Sequence, residues 1–385
     1  MDSRQKLKTI PLIKMLASVR LTVVCLCLLF ILTFWGTIAQ VYNGLYLAQE
    51  RYFHSFVFFV FGFLPFPGGQ LVMMVMFVNL LCVAVTRFVF QWRHVGILII
   101  HGGLLLFFVA GFVTLRGAQE SYLNLHEGHA ANVTTAYHDW EVSLWEVNKP
   151  AQDGQIVREV IAFNADHLKS GMVFAFDNAG IQMTVKEYYR NSVAYQAVPD
   201  EKPKYLNASG IGHLQSADLS IEPEKNMPGG IFHVAIKDGT QLDLLLFGGE
   251  AKPLSIKAGG KDYNVILRLK RFPLPFVLKL EDFMMERHPG TDTARSYKSQ
   301  VAIRLGDAWR EKLISMNNPL RYKDYTLYQA SYSIDAAGRE ASTLAVVKNK
   351  GRLLPYISTF VIFIGLVVHF VTMALASRKS REIAR

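Results

Sequence analysis

Two histidines inside apolar runs have the clearest capacity for chemistry. His101 lies in His94-Val95-Gly96-Ile97-Leu98-Ile99-Ile100-His101-Gly102-Gly103, and His369 lies in the apolar run near the end of the sequence. An ionisable side chain inside a bilayer is costly and tends to be functional. A neutral imidazole costs less than a full charge, and its nitrogen can ligate haem iron. At 1.5 Å of rise per residue, each histidine is about 10 Å from the same end of its run. His101 is therefore a candidate haem ligand, with any metal bound only through haem iron, and His369 is a second candidate. Gly102 and Gly103 remove bulk beside His101, which lets a flat ring or another helix approach. Phe107, Phe108 and Phe112 add aromatic surface along the same run. The competing reading is a histidine hydrogen-bonded to a neighbouring helix. Asn79, in another apolar run, reads as interhelical glue.

Other clusters say less. His126-Glu127-Gly128-His129 brings two imidazoles and a carboxylate together, but Glu-Gly between two strand-like stretches is the signature of a tight turn. The turn reading leads, and a metal or haem role is its alternative. His138, His167, His213, His233 and His288 are isolated, which by default means surface or satisfied core. The sequence has no G-x-S-x-G, Walker loop or H-E-x-x-H, so no catalytic residue is assigned. It has no C-x-x-C-H either. Its three cysteines, Cys25, Cys27 and Cys82, all lie in apolar runs, so the polar middle carries neither a disulfide framework nor a thiol redox pair.

The elements that position these residues follow from where the apolar residues fall. The chain has 385 residues, 51% of them apolar. They crowd into roughly the first 115 residues and the last 35, while the middle reads like a soluble domain. A hydrocarbon core about 30 Å thick needs about 20 apolar residues in a helix. Four stretches qualify: Leu21 to Ala39, Leu71 to about Phe90, Val95 to Leu115, and Leu353 to Ala376. The first is longer than a usual signal-peptide core, so a retained helix is favoured over a cleaved signal. The stretch from Phe53 to Phe66 is too short to span and is broken by Pro65-Phe66-Pro67-Gly68-Gly69, which predicts an interfacial helix or a re-entrant piece.

The net charge of +10 sits beside the apolar runs. Arg4, Lys6, Lys8 and Lys14 precede the first run, Arg87 lies near the end of the second and Arg93 follows it, and Arg378, Lys379, Arg381 and Arg385 follow the last. The segment from Gln40 to Gln70 holds only Arg51. Such placement speaks for membrane orientation rather than nucleic acid. It predicts a multi-pass protein of a bacterial inner (plasma) membrane with both termini cytoplasmic and residues 116–352 outside. Those residues alternate with a period of two, as in Trp140–Trp145, Gln182–Val185 and Phe232–Ile236. Asp262–Leu267 alternates at its start and then turns apolar, and Asp153-Gly154, Asp238-Gly239 and Gly259-Gly260 punctuate the strands. The expected fold class is a membrane protein with four transmembrane α-helices and a large, mostly antiparallel β domain between helices 3 and 4, a sandwich being one form of it. Residues from Asn191 to Lys225 are polar and predict a long loop.

Read as a whole, the chain resembles the ResB-like (CcsB) proteins of system II cytochrome c biogenesis. The resemblance begins with Leu16-Ala17-Ser18-Val19-Arg20-Leu21 and Gly36-Thr37-x-x-Gln40, and continues through Phe77-Val78-Asn79-Leu80-Leu81-Cys82 and His101-Gly102-Gly103-Leu104-Leu105. Leu125 and Glu127-Gly128 fit as well. Its most specific part is late: Leu274-Pro275-Phe276, Leu280-x-x-Phe283, His288-Pro289-Gly290-Thr291, Tyr297-x-Ser299, Met316-Asn317-Asn318-Pro319-Leu320 and Tyr325-x-Leu327-Tyr328-Gln329-x-Ser331-Tyr332.

The resemblance implies a membrane subunit that, with a ResC/CcsA-like partner, handles haem and delivers it for covalent attachment to the Cys-x-x-Cys-His of apocytochrome c. It implies that a membrane histidine binds haem b shared with the partner. His101 is the matching position, and the role is carried to neither His94 nor His369. Trp35, Trp92, Trp140, Trp145 and Trp309 do not cluster, so the tryptophan-rich ligation segment is expected on the partner and this chain is not expected to be an enzyme alone. Two other readings remain. A structural subunit of a respiratory complex would hold haem b between His101 and His369. A membrane-bound sensor would call for a cytoplasmic output domain, and about nine residues follow Ala376.

Overall fold

In a computed structural model, residues 10–87, 91–147, 160–197, 204–291, 294–306, 308–335 and 337–383 are described. Arg4, Lys6, Lys8, Arg385, the Asp153-Gly154 turn and the end of the second run at Phe90 lie outside them. Among the described residues, four helices are long and apolar enough to cross a membrane. They are α1 (Val19–Asn43), α2 (Gly69–Arg87), α3 (Val95–Gly117) and α4 (Leu354–Ile383). Ser18 caps the first, accepting a hydrogen bond from the Arg20 amide, as a hydroxyl at that position should. A helix satisfies its own backbone hydrogen bonds, the one economical choice for an open segment in lipid.

Eighteen strands are described. They are β1 (Val57–Val60), β2 (Leu64–Pro67), β3 (Gln119–His126), β4 (Ala130–Glu146), β5 (Ile161–Asn164), β6 (Val173–Phe176), β7 (Ile181–Tyr189), β8 (Ser192–Gln196), β9 (Ile211–Ser216), β10 (Gly229–Ile236), β11 (Gln241–Phe247), β12 (Leu254–Ala258), β13 (Lys261–Arg287), β14 (Ala294–Leu305), β15 (Ala308–Ser315), β16 (Leu320–Tyr322), β17 (Tyr325–Ile334) and β18 (Glu340–Lys348). The chain divides into two units, residues 1–119, 321–326 and 347–385 in one and residues 120–320 and 327–346 in the other.

The apolar stretch from Phe53 to Phe66 is not a helix. A short π-helical turn over Gln49–Phe53 leads into the hairpin β1–β2, in which Val57 pairs Pro67 and Val60 pairs Leu64. The reason is a local period of two: Phe58 is buried while its neighbours Val57 and Phe59 are exposed. Phe61 and Gly62 both take positive φ, 54° and 81°, as a tight hairpin turn demands.

In the larger unit, the strands form a ten-stranded sheet with the path β15-β14-β13-β4-β3-β18-β17-β16, β12 and β5 attached beside it, and a four-stranded sheet β11-β10-β7-β6. The sheets pack as a sandwich. Val142, Leu144, Val265 and Leu267 of the larger sheet share a core with Phe174, Phe176, Met183, Val185, Phe232, Val234 and Leu244 of the smaller. Burial alternates along β13 at Tyr263, Val265 and Leu267, and again at Leu274, Phe276, Leu278 and Leu280. Between Pro273 and Leu278 its pairing with β4 slips, from Val133 to Ala131. Pro273 and Pro275 have no N–H to give to the ladder, so this is where the strand bulges. The polar segment from Asn191 to Lys225 is also more ordered than a loop. It contains the antiparallel pair β8–β9, in which Tyr195 stacks on His213 at 4.7 Å.

Candidate functional site

The helix pair α3–α4 is built on glycine. A Cβ on Gly96 would fall on the backbone of His369, one on Gly103 would stand 2.6 Å from Ile362 Cγ1, and one on Gly365 would stand 2.8 Å from the Ile100 amide nitrogen. Gly96 and Gly103 are seven residues apart, and Ala110, fully buried, is seven further on. Such a stripe of small residues lets two helix backbones approach closely. These contacts also fix the antiparallel register: residue 96 lies level with 369, 100 with 365 and 103 with 362.

That register separates the two candidate histidines. His101 is level with residue 364, so His369 is about 7 Å further along the pair at 1.5 Å per residue. The equal depth counted from the ends of the runs does not hold, because α4 is shifted against α3. The two side chains also do not converge. At 100° per residue, His101 is turned about 160° from Gly103, hence away from α4. Phe108, seven residues on and on the same face as His101, packs on Phe77 of α2 at 6.0 Å between ring centroids. Gly103 therefore admits another helix, while nothing lies within 4 Å of a Cβ built on Gly102.

The chemistry of His101 is set by its own helix. Its Nδ1 is 2.8 Å from the Ile97 carbonyl oxygen, four residues back. A carbonyl can only accept, so Nδ1 carries the proton and Nε2 carries the ring lone pair. A second hydrogen bond of this kind is what fixes the ring and tautomer of metal-bound histidines. His369 differs. Its Nδ1 is buried with no hydrogen-bond partner among the described residues. A buried polar atom left unsatisfied costs about 1–3 kcal/mol. His369, with His94, Ile97, Thr372, Met373 and Ala376, lines a cavity of about 150 Å³. Sequence reading paired His369 with His101; tertiary packing gives it His94.

Asn79 is 3% exposed and accepts from Thr22 Oγ1 at 2.7 Å while donating to the carbonyls of Leu16 and Ser18. It ties α2 to the start of α1, the interhelical bond its position suggested. His126-Glu127-Gly128-His129 is the turn between β3 and β4, with Gly128 at φ 76°. Glu127 accepts from the Phe283 amide at 2.7 Å, and the Gly128 amide donates to the Leu280 carbonyl. The rings of His126 and His129 lie 6.0 Å apart, edge to face. The described residues contain no group of three His, Cys, Asp or Glu able to hold a metal ion.

The late motifs of the sequence come together in space. Ser299 of β14 donates to Gln329 Oε1 of β17 at 2.7 Å and accepts from the Ser342 hydroxyl of β18 at 2.8 Å, and Gln329 Nε2 donates to Ser342 Oγ at 3.0 Å. Tyr297 donates to the Ala330 carbonyl, and Tyr332 stacks on Phe283 at 5.5 Å. Three strands separate β14 from β18 along the sheet, so these bonds require it to curl back on itself. Buried polar side chains that satisfy one another in this way specify one register of closure. The signature residues thus hold the curl.

The same segment carries the likeness to known proteins. Residues 246–339 match the model of the ResB-like family. Over this stretch the chain is ResB-like. It is also 33% identical over 101 residues, 26% of its length, to Protein NrfI of Wolinella succinogenes. Those residues cover 11% of NrfI, so the chain spans a small part of that relative's length. The ResB-like match begins in β11 and ends before β18, taking in Phe283, Tyr297, Ser299, Gln329 and Tyr332.

Proposed function

We propose that this ResB-like chain is a membrane subunit of cytochrome c biogenesis that handles haem together with a ResC/CcsA-like partner, haem being the cargo delivered for attachment to apocytochrome c. The family match and the likeness to NrfI support the biogenesis role. The Lys and Arg distribution supports an inner-membrane topology with both termini cytoplasmic and the β domain outside. The observation that carries the haem reading is the His101 ring, whose Nδ1–H is held by the Ile97 carbonyl, which makes Nε2 the nitrogen with the lone-pair chemistry a haem iron requires. His101 is one donor, turned away from α4, so the second ligand and the ligation site belong to the partner. Haem held between His101 and His369 alone, as in the respiratory-subunit reading, finds no support in this register.

The test is an absorption spectrum of the protein purified with and without the co-expressed partner, wild type against His101→Ala. Haem is expected to appear with the partner, to fall about tenfold or more with the substitution, in the range typical of losses around a metal centre, and to return in part with added imidazole. A haem spectrum that His101→Ala leaves unchanged would remove His101 as a ligand.

A further inference from the structure

The cavity beside His369 is separate from the face of His101, and the haem reading makes no use of it. Its volume of about 150 Å³ is that of a cavity able to take one benzene-sized ring. Haem is far too large for it. A bare metal ion is a poor occupant, since no three-ligand group of His, Cys, Asp or Glu is present among the described residues. The walls are mixed. Ile97, Met373 and Ala376 are apolar, while His94, His369 and Thr372 bring polar atoms. The His369 Nδ1 atom is buried without a partner among the described residues, and the Thr372 hydroxyl, which donates to the His369 carbonyl at 2.9 Å, keeps lone pairs that can accept. Both helices that form the cavity are apolar enough to cross a membrane, and Met373 at its rim is 57% exposed, as is Phe370 beside it at 66%. A ligand reaching this site along the bilayer is therefore a lipid-soluble one with a single ring and oxygens at its edge.

We propose that the His94–His369 cavity binds the ring of a membrane quinone or quinol. The His369 imidazole bonds a ring oxygen, the second imidazole and the Thr372 hydroxyl face the polar edge, and the apolar wall takes the ring face. Gly96 is what makes room for this, because it brings the His369 backbone against α3.

Trp92, two residues from His94 and 82% exposed, supplies a reporter. The full-length protein in nanodiscs is titrated with a short-tailed benzoquinone, a two-ring naphthoquinone serving as the size control, and tryptophan quenching is followed. Weaker quenching is expected with the naphthoquinone and saturable quenching with the benzoquinone. His369→Leu, which removes the ring nitrogen, and Ala376→Leu, which fills the cavity, should each weaken it at least tenfold, while His369→Gln, which keeps a hydrogen-bonding amide, should retain most of the affinity. His101→Ala should leave it unchanged. Size-exclusion profiles and circular dichroism confirm that each variant is folded, and the glutamine variant carries the comparison if the leucine variant at 369 is not. A wild-type titration that does not saturate overturns the proposal, as a cavity filled by water would give. So does an affinity that Ala376→Leu leaves unchanged. Loss of binding in His101→Ala overturns it too, since the ring would then belong to the proposed haem site.

Discussion

The helical unit and the β unit use the same residue types for opposite ends. In the helices, Gly96, Gly103 and Gly365 have ordinary backbone angles and serve by lacking a side chain where two helices touch. In the β unit, Gly128 and Gly239 take φ of 76° and 90° at turns, and nothing lies within 4 Å of a Cβ built on either. Polar side chains diverge in the same way. Those in the long helices bond mostly to their own backbone, as Thr33, Thr86, His101 and Ser358 do over three or four residues, and Asn79 is an exception that crosses between helices. In the β unit buried polar groups such as Ser299 with Gln329 and Ser342, and Arg268 with Glu141, bond across strands far apart in sequence. Lipid offers no alternative partner for a polar group, so helices satisfy theirs locally. A sandwich core can afford longer-range pairs, provided each is complete.

The largest expected effect tests that last condition. Glu141 is almost fully buried. It accepts from Arg268 at 3.0 Å and from Ser143 at 2.8 Å, and the Arg268 guanidinium lies over the Trp145 ring. Burial lowers the pKa of Arg268, as does the nearby Arg271 charge, and Glu141 opposes both. Removing one partner of a buried pair leaves an uncompensated charge, so Glu141→Ala should cost about 3–5 kcal/mol. Thermal unfolding of the full chain in detergent reads it, and an unchanged midpoint for the β unit would show that water already reaches this guanidinium.

A smaller effect separates the two uses of glycine within one helix. Gly96→Ala should destabilise the α3–α4 pair by about 1–3 kcal/mol, because the new methyl meets backbone rather than a movable side chain. Gly102→Ala, with open space around it, should be neutral or gain up to about 1 kcal/mol in helix propensity. Unfolding in graded denaturing detergent compares them, and equal behaviour would break the distinction between packing glycines and merely small ones.

The smallest effect lies on the outer face of the β unit. The hydrogen bonds from Lys186 hold the Asp243 carboxyl below its usual pKa, with His233 adding to this and partial burial opposing it. A lowered carboxylate pKa adds stability above the unfolded-state value near 4 and loses it as pH falls through the lowered folded value. The pair is substantially exposed, so Lys186→Met should remove only about 0.2–1 kcal/mol at neutral pH. It should also make the acid limb of the stability profile shallower, because the contribution removed is one the wild type loses in acid. An acid limb of unchanged slope would mean solvent and salt already screen the pair.

Much of this architecture was legible in the residues. Runs of about 20 apolar residues can satisfy their backbones in lipid only as helices, so four such runs announce four helices. The period of two in Trp140–Trp145 and Phe232–Ile236 announced strands, because one face of a half-buried sheet is apolar. The same period lay in Val57-Phe58-Phe59-Val60 and was obscured by a high apolar content that suits helix and strand alike. His101 could be singled out by its place in an apolar run, since such a side chain is costly there wherever it points. Its rotation away from α4, the shift that separates it from His369, and the cavity that joins His369 to His94 could not be read from spacing. They depend on which glycines of one helix meet which residues of another, and the sequence of either helix alone is compatible with several registers. The same holds for Ser299, Gln329 and Ser342. Each is an ordinary polar residue in a strand, and only the curl of the sheet makes them one buried network.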